Sequence, residues 1–110
     1  MSDLPIDFNG LDSSVYGPVR LGVLTVLHME GSQDFTTLKK RLDVADGAIG
    51  IHLRKLEDVG YLTCSKSFVG RRPRSVYRIT PLGRRALNNY LNAMQQVIEA
   101  VKKQLSLIHI

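Results

Sequence analysis

The chain has 110 residues, 44% hydrophobic and 23% charged, with a formal net charge of +5. That size and balance fit one globular domain with a modest core, and no apolar run approaches the ~20 residues needed to span a bilayer. The amino terminus carries Asp3 and Asp7 and no basic residue, which argues against a secretory leader, while a lone Cys64 excludes an internal disulfide framework and suits a reducing cytoplasm.

Residues 1–10 read as a flexible arm. Leu11 to Tyr16 can make a short helix capped by Asp12 or Ser13. Gly17-Pro18 resets the chain, and Pro18 suits the first turn of a new helix running to about Met29. Leu21, Leu24 and Leu27, with Val23 on the flank, give that helix a core-facing stripe. Gly31 ends it. Asp34 N-caps the next helix. There Phe35, Leu38 and Leu42 face inward, and Thr36, Thr37, Lys39 and Lys40 face out. A short turn, Leu42 to Asp46, leads to a third helix that begins near Asp46 or Gly47 and ends at Gly60. Its inward residues are Ile49, Leu53 and Leu56.

Tyr61 to Phe68 and Ser75 to Thr80 read as the strands of a hairpin. A six-residue connection, Val69 to Arg74, forms its mobile, cationic tip. Thr80 can cap the last helix and Pro81 suits its first position. From Leu82 to about Leu105 or beyond, Ala86, Tyr90, Met94, Val97, Val101 and Leu105 recur at helical spacing, and Leu87, Leu91 and Ile98 widen the stripe. A helix of ~25 residues is ~37 Å long, more than so small a core can cover. Part of the stripe (Tyr90, Leu91, Met94, Val97, Ile98, Val101 and Leu105) is therefore expected to pack against another chain. The chain divides into an arm (1–10), a core (11–80) and a C-terminal helix (81–110), one domain overall.

Charge is unevenly placed. Residues 1–30 hold Arg20 against Asp3, Asp7, Asp12 and Glu30. Residues 71–110 hold Arg71, Arg72, Arg74, Arg78, Arg84, Arg85, Lys102 and Lys103 against Glu99 alone. The asymmetry favours a nucleic acid or an anionic surface as partner, although a well-solvated basic surface gives the same count. A compact helical unit beside an arginine-bearing hairpin fits double-stranded DNA, with a helix in the major groove.

His52-Leu53-Arg54-Lys55-Leu56-Glu57, followed by Gly60-Tyr61-Leu62, resembles the end of the recognition helix in ArsR- and MarR-like regulators. Lys66 to Arg74 and Tyr77 to Leu87 resemble their wing and the opening of their last helix. From about Leu11 to Tyr90 the chain is similar to stand-alone winged helix-turn-helix transcriptional regulators of bacteria and archaea. The resemblance implies a mainly α fold with a small β-hairpin wing (α+β) and a long C-terminal helix. It also implies a homodimer on a pseudo-palindromic operator.

Within that frame the third helix is the candidate reader. Gly47, Ala48, Gly50, Ile51, Arg54 and Lys55 are expected outside, with Arg54 able to grip a guanine edge bidentately or to hold a phosphate. Ile51 can touch thymine methyls or pack on a neighbour. Because this face is poor in base-reading side chains, DNA shape and the wing are expected to carry part of the specificity. Arg71, Arg72 and Arg74 suit a phosphate backbone or a narrow minor groove, or else form a solvated loop. Thr36, Thr37 and Lys40, at a helix start rich in free N–H groups, suit a phosphate, unless Thr37 merely supports the cap. Arg20 is either a phosphate ligand or an internal salt-bridge partner. His28, His52 and His109 stand alone without metal-ligand spacing. No cofactor, metal or catalytic constellation is expected. A different class of function, a winged-helix module that binds protein through the long apolar stripe, accounts for the poor reading face but not for the hairpin arginines.

Overall fold

Pro18 opens the first helix, α1 (Pro18–Glu30), and its Val23, Leu24, Val26 and Leu27 are buried. The computed structural model describes residues 6–108. After Gly31, at φ 83°, two residues form β1 (Gln33–Asp34). The Asp34 carboxylate then caps α2 (Phe35–Leu42) by accepting the Thr37 N–H at 2.7 Å. Asp43 adopts a left-handed conformation, φ 51°, to close α2 and turn the chain into α3 (Asp46–Asp58). The helix-turn-helix spacing is thus set by one residue of unusual backbone. Gly60, at φ 84°, supplies the left-handed residue that lets α3 stop and the chain turn into the sheet.

β2 (Leu62–Val69) and β3 (Arg72–Ile79) pair antiparallel from Leu62↔Ile79 out to Val69↔Arg72. β1 pairs with the other edge of β3, so the sheet order is β1-β3-β2. α4 (Pro81–Ile108) follows, its start capped by the Thr80 hydroxyl, which accepts the Gly83 N–H at 3.0 Å. Leu24, Leu27, Leu38, Ile49, Leu53, Leu56, Leu62, Ile79, Leu87 and Tyr90 make one core. Burying each of these large apolar side chains contributes about 1.5–3 kcal/mol. Gly83 lets α4 sit on the β2 entry: a Cβ there would lie 2.3 Å from the Tyr61 carbonyl oxygen.

The fold class and the inward residues of the helices agree with the sequence reading; several details differ. Leu11–Tyr16 is a turn, not a helix. Asp12 spends its side chain on the Ser14 N–H at 2.9 Å and its carbonyl on Val15 and Tyr16, so one turn forms and stops. Residues 1–5 of the span read as an arm, and at the other end the residues beyond 108, His109 included, lie outside the described residues. Phe8–Gly10 is a 3-10 turn resting on α4, with the Gly10 Cα so close to Ala93 that a Cβ would meet it at 3.0 Å. The hairpin is longer than expected: Val69, Arg72, Pro73 and Arg74 belong to strands, and only Gly70 and Arg71 form the turn. Gly70, at φ 64° in the first central position, is what a tight type II′ hairpin turn requires.

Candidate nucleic-acid interface

Ile49, Leu53 and Leu56 fix the roll of α3 by burying one stripe against the core. The rotation leaves Gly47, Ala48, Ile51, Arg54 and Lys55 exposed, with Gly50 half-buried. Ile51 is 70% exposed, so it does not pack on a neighbour within the chain. Beyond chain neighbours and the helix's own backbone, no atom of the described residues comes within 4 Å of where a Cβ would be at Gly47 or Gly50, which leaves the backbone of this face open. The Lys39 ammonium meets the Asp46 carboxylate at 2.7 Å and ties α2 to the first turn of α3. His52, on the same helix, accepts a hydrogen bond at Nδ1 from Arg20 Nε at 3.0 Å. Arg20 also donates to the Ser13 carbonyl at 3.2 Å. Arg20 is therefore engaged internally, through an imidazole and a carbonyl rather than through the salt bridge considered from the sequence.

The β3 register resolves the arginines. Tyr77 and Ile79 point into the core, so the alternate residues Arg72, Arg74, Val76 and Arg78 share the opposite face. Arg71 alone sits on the turn. Arg78 was missed as a candidate. The signal was an arginine at every second position but one (Arg72, Arg74, Arg78), legible only once the strand is known to begin at Arg72. Arg78 Nε donates to the Ser32 hydroxyl at 3.3 Å.

Asp34 connects the wing to the start of α2. One carboxylate oxygen takes the Thr37 N–H and the other lies 3.5 Å from Arg74 Nε. The Thr37 backbone bond first, then the Thr37 hydroxyl and the Arg74 charge, hold the Asp34 carboxyl below its ordinary value. The N–H expected to meet a phosphate at Thr37 is thus already satisfied, and Arg74 is partly neutralised. Thr36 and Lys40 remain exposed. Arg41 is occupied by Glu30, which it grips bidentately.

On β3 beside β1, burial and then the adjacent Cys64 sulfur push the Tyr77 hydroxyl up to about 12. The Tyr61 hydroxyl donates to the Asp12 carboxylate, and that bond is the main reason its pKa rises to about 12. On α4, Tyr90 is 4% exposed and belongs to the core, which corrects its assignment to an interface. Met94 and Val97 are half-buried, and Leu91, Ile98, Val101 and Leu105 are 39–49% exposed. No described residue of α4 beyond Ala93 is buried.

A family described as winged helix DNA-binding domain matches residues 19–98. An uncharacterised protein of Methanocaldococcus jannaschii is 32% identical over 84 residues, 76% of this chain and 91% of that protein. The structure of a transcriptional regulator homologue from Pyrococcus horikoshii OT3 is similar at 30% identity and TM-score 0.75, covering 84% of this chain and 93% of that one. The fold is also that of a transcriptional regulator described as MarR family from Enterococcus faecalis V583, with TM-score 0.68 and 22% identity over 96% of this chain and 98% of that one.

Proposed function

The chain belongs to the winged helix DNA-binding domain family, and we propose on that footing that it is a sequence-specific, homodimeric regulator of transcription acting on double-stranded DNA in the cytoplasm. In this reading 11–80 is the DNA-binding core and 81–110 the dimerisation helix. The supporting observation is the roll of α3: burial of Ile49, Leu53 and Leu56 turns Gly47, Ala48, Ile51, Arg54 and Lys55 outward. α3 enters the major groove, where Arg54 reads a base edge, Ile51 meets thymine methyls and the glycines admit close approach. Arg71 and Arg72 contact the backbone or the adjacent minor groove, and Thr36 and Lys40 contact phosphates. Arg74 joins only by leaving Asp34.

The test is binding to duplexes selected from a random pool, followed across salt concentrations. Arg54→Ala is expected to relax preference at one base position, at about 1–3 kcal/mol. The double variant R71A/R72A is expected to weaken all sequences alike and to lower the salt slope by about one unit per lost phosphate contact. An unchanged slope removes the wing from the interface, and unchanged base preference removes Arg54.

A further inference from the structure

The inner face of the hairpin becomes apolar again, after one polar pair, beyond the point where the protein covers it. Leu62 and Cys64 on β2, with Tyr77 and Ile79 on β3, are buried or half-buried on that face. Continuing outward with period two, the same face carries Lys66 opposite Ser75, then Phe68 opposite Pro73. Phe68 is 73% exposed. The usual reason for a phenylalanine in a strand, burial against the fold, is therefore missing here. Pro73 lies outside the β1 pairing, which reaches only Val76 and Tyr77. It stiffens that strand on a free edge without breaking a ladder bond. The result is a rigid apolar pair held out from the body on the face that looks toward the helical layer.

The surrounding charge selects the partner. Residues 66–74 contain Lys66, Arg71, Arg72 and Arg74 and no acidic residue. Among the described residues the one carboxylate in ion-pair contact with them is Asp34, on Arg74. Lys66 shares the face of Phe68, Arg71 sits on the turn, and Arg72 and Arg74 lie on the reverse face of the same tip. An aromatic ring on so cationic a tip complements a polyanion whose groove has apolar walls, and deoxyribose supplies such walls. We infer that Phe68, backed by Pro73, is a DNA-contacting residue that packs into the minor groove against sugars and base edges, while Arg71 and Arg72 hold the flanking phosphates. Apolar side chains beside arginines use the minor groove in this way. The inference rests on the DNA-binding reading above and adds to it a contact that salt does not screen.

That difference in salt response is the test. Fluorescence anisotropy of the full chain on a selected duplex, over a series of NaCl concentrations, compares wild type, Phe68→Ala, Phe68→Leu and R71A/R72A. Phe68→Ala is expected to bind about tenfold more weakly, the order of one aromatic–nucleotide contact, with the salt slope of the wild type. Phe68→Leu recovers most of the loss, and R71A/R72A lowers the slope. Far-ultraviolet circular dichroism stays unchanged in F68A, because the ring is exposed. Wild-type affinity in F68A, or a slope reduced as in the arginine variant, overturns the inference and leaves the DNA-binding reading standing. No duplex binding by the wild type overturns both.

Discussion

Asp34 joins three elements through one carboxylate: it lies in β1, caps α2 and holds Arg74 of β3. Its folded pKa lies below the ordinary carboxylate value of 3.8 because the charged form is hydrogen-bonded by Thr37. A depressed carboxylate stabilises the fold above its unfolded pKa, and the contribution is lost as pH falls through the folded value. Asp34→Ala is therefore expected to cost about 1 kcal/mol at pH 7, the range for removing an N-cap. The gap to wild type should narrow as the pH of the urea titration drops below 3.8. A gap independent of pH would mean that the carboxylate charge contributes nothing. The cap was legible from sequence, because an aspartate immediately before an apolar helical stripe has few other uses. Its pairing with Arg74 was not, since it depends on β3 beginning at Arg72 and on β1 lying beside it.

Between elements, the junction of α3, β2 and α4 is closed by Thr80. Its hydroxyl donates to the Gly60 carbonyl at 2.7 Å and accepts the Gly83 N–H at 3.0 Å, while its own N–H meets the Tyr61 carbonyl at 3.0 Å. Thr80→Ala removes both side-chain bonds and is expected to lower unfolding free energy by about 1–2 kcal/mol. Thr80→Ser, which keeps the hydroxyl, should stay within about 0.5 kcal/mol of wild type. Equal losses in the two variants would assign the effect to the methyl group instead. The helices and this cap were readable because apolar residues recur at helical spacing and stop at Gly31, Gly60 and Thr80-Pro81. The outer half of the hairpin was not, because it is solvated on both faces. Lys66, Ser67, Arg72 and Arg74 give no alternation of apolar and polar residues to read. Their pairing is set instead by the Gly70-Arg71 turn, and a longer connection fits the same composition. β1, two residues long, carries no periodic signal at all.

For the whole molecule the deciding feature is the reach of α4. Its 28 residues extend about 42 Å, but its buried residues all fall between Gly83 and Ala93, and even there Leu91 is exposed. The radius of gyration is 17.2 Å, against roughly 13 Å for a compact chain of this length. Leu91, Met94, Ile98, Val101 and Leu105 fall at successive spacings of three and four along the uncovered part, the pattern of a helix pairing with another helix. Leu91, Ile98, Val101 and Leu105 are each 39–49% exposed. A second copy of α4 offers the same stripe and satisfies both at once. The double variant I98D/V101D is expected to convert a dimer to a monomer in sedimentation equilibrium, a measurement that the elongated shape does not distort. Because both side chains are already solvated in the single chain, monomer stability should change by less than about 1 kcal/mol. Affinity for a two-half-site duplex should fall by roughly a hundredfold or more as the second reading head is lost. A variant that stays dimeric would place the self-association surface elsewhere. A wild type monomeric at the concentrations that bind DNA would remove the paired-helix arrangement while leaving α3 and the wing to act on a single half-site.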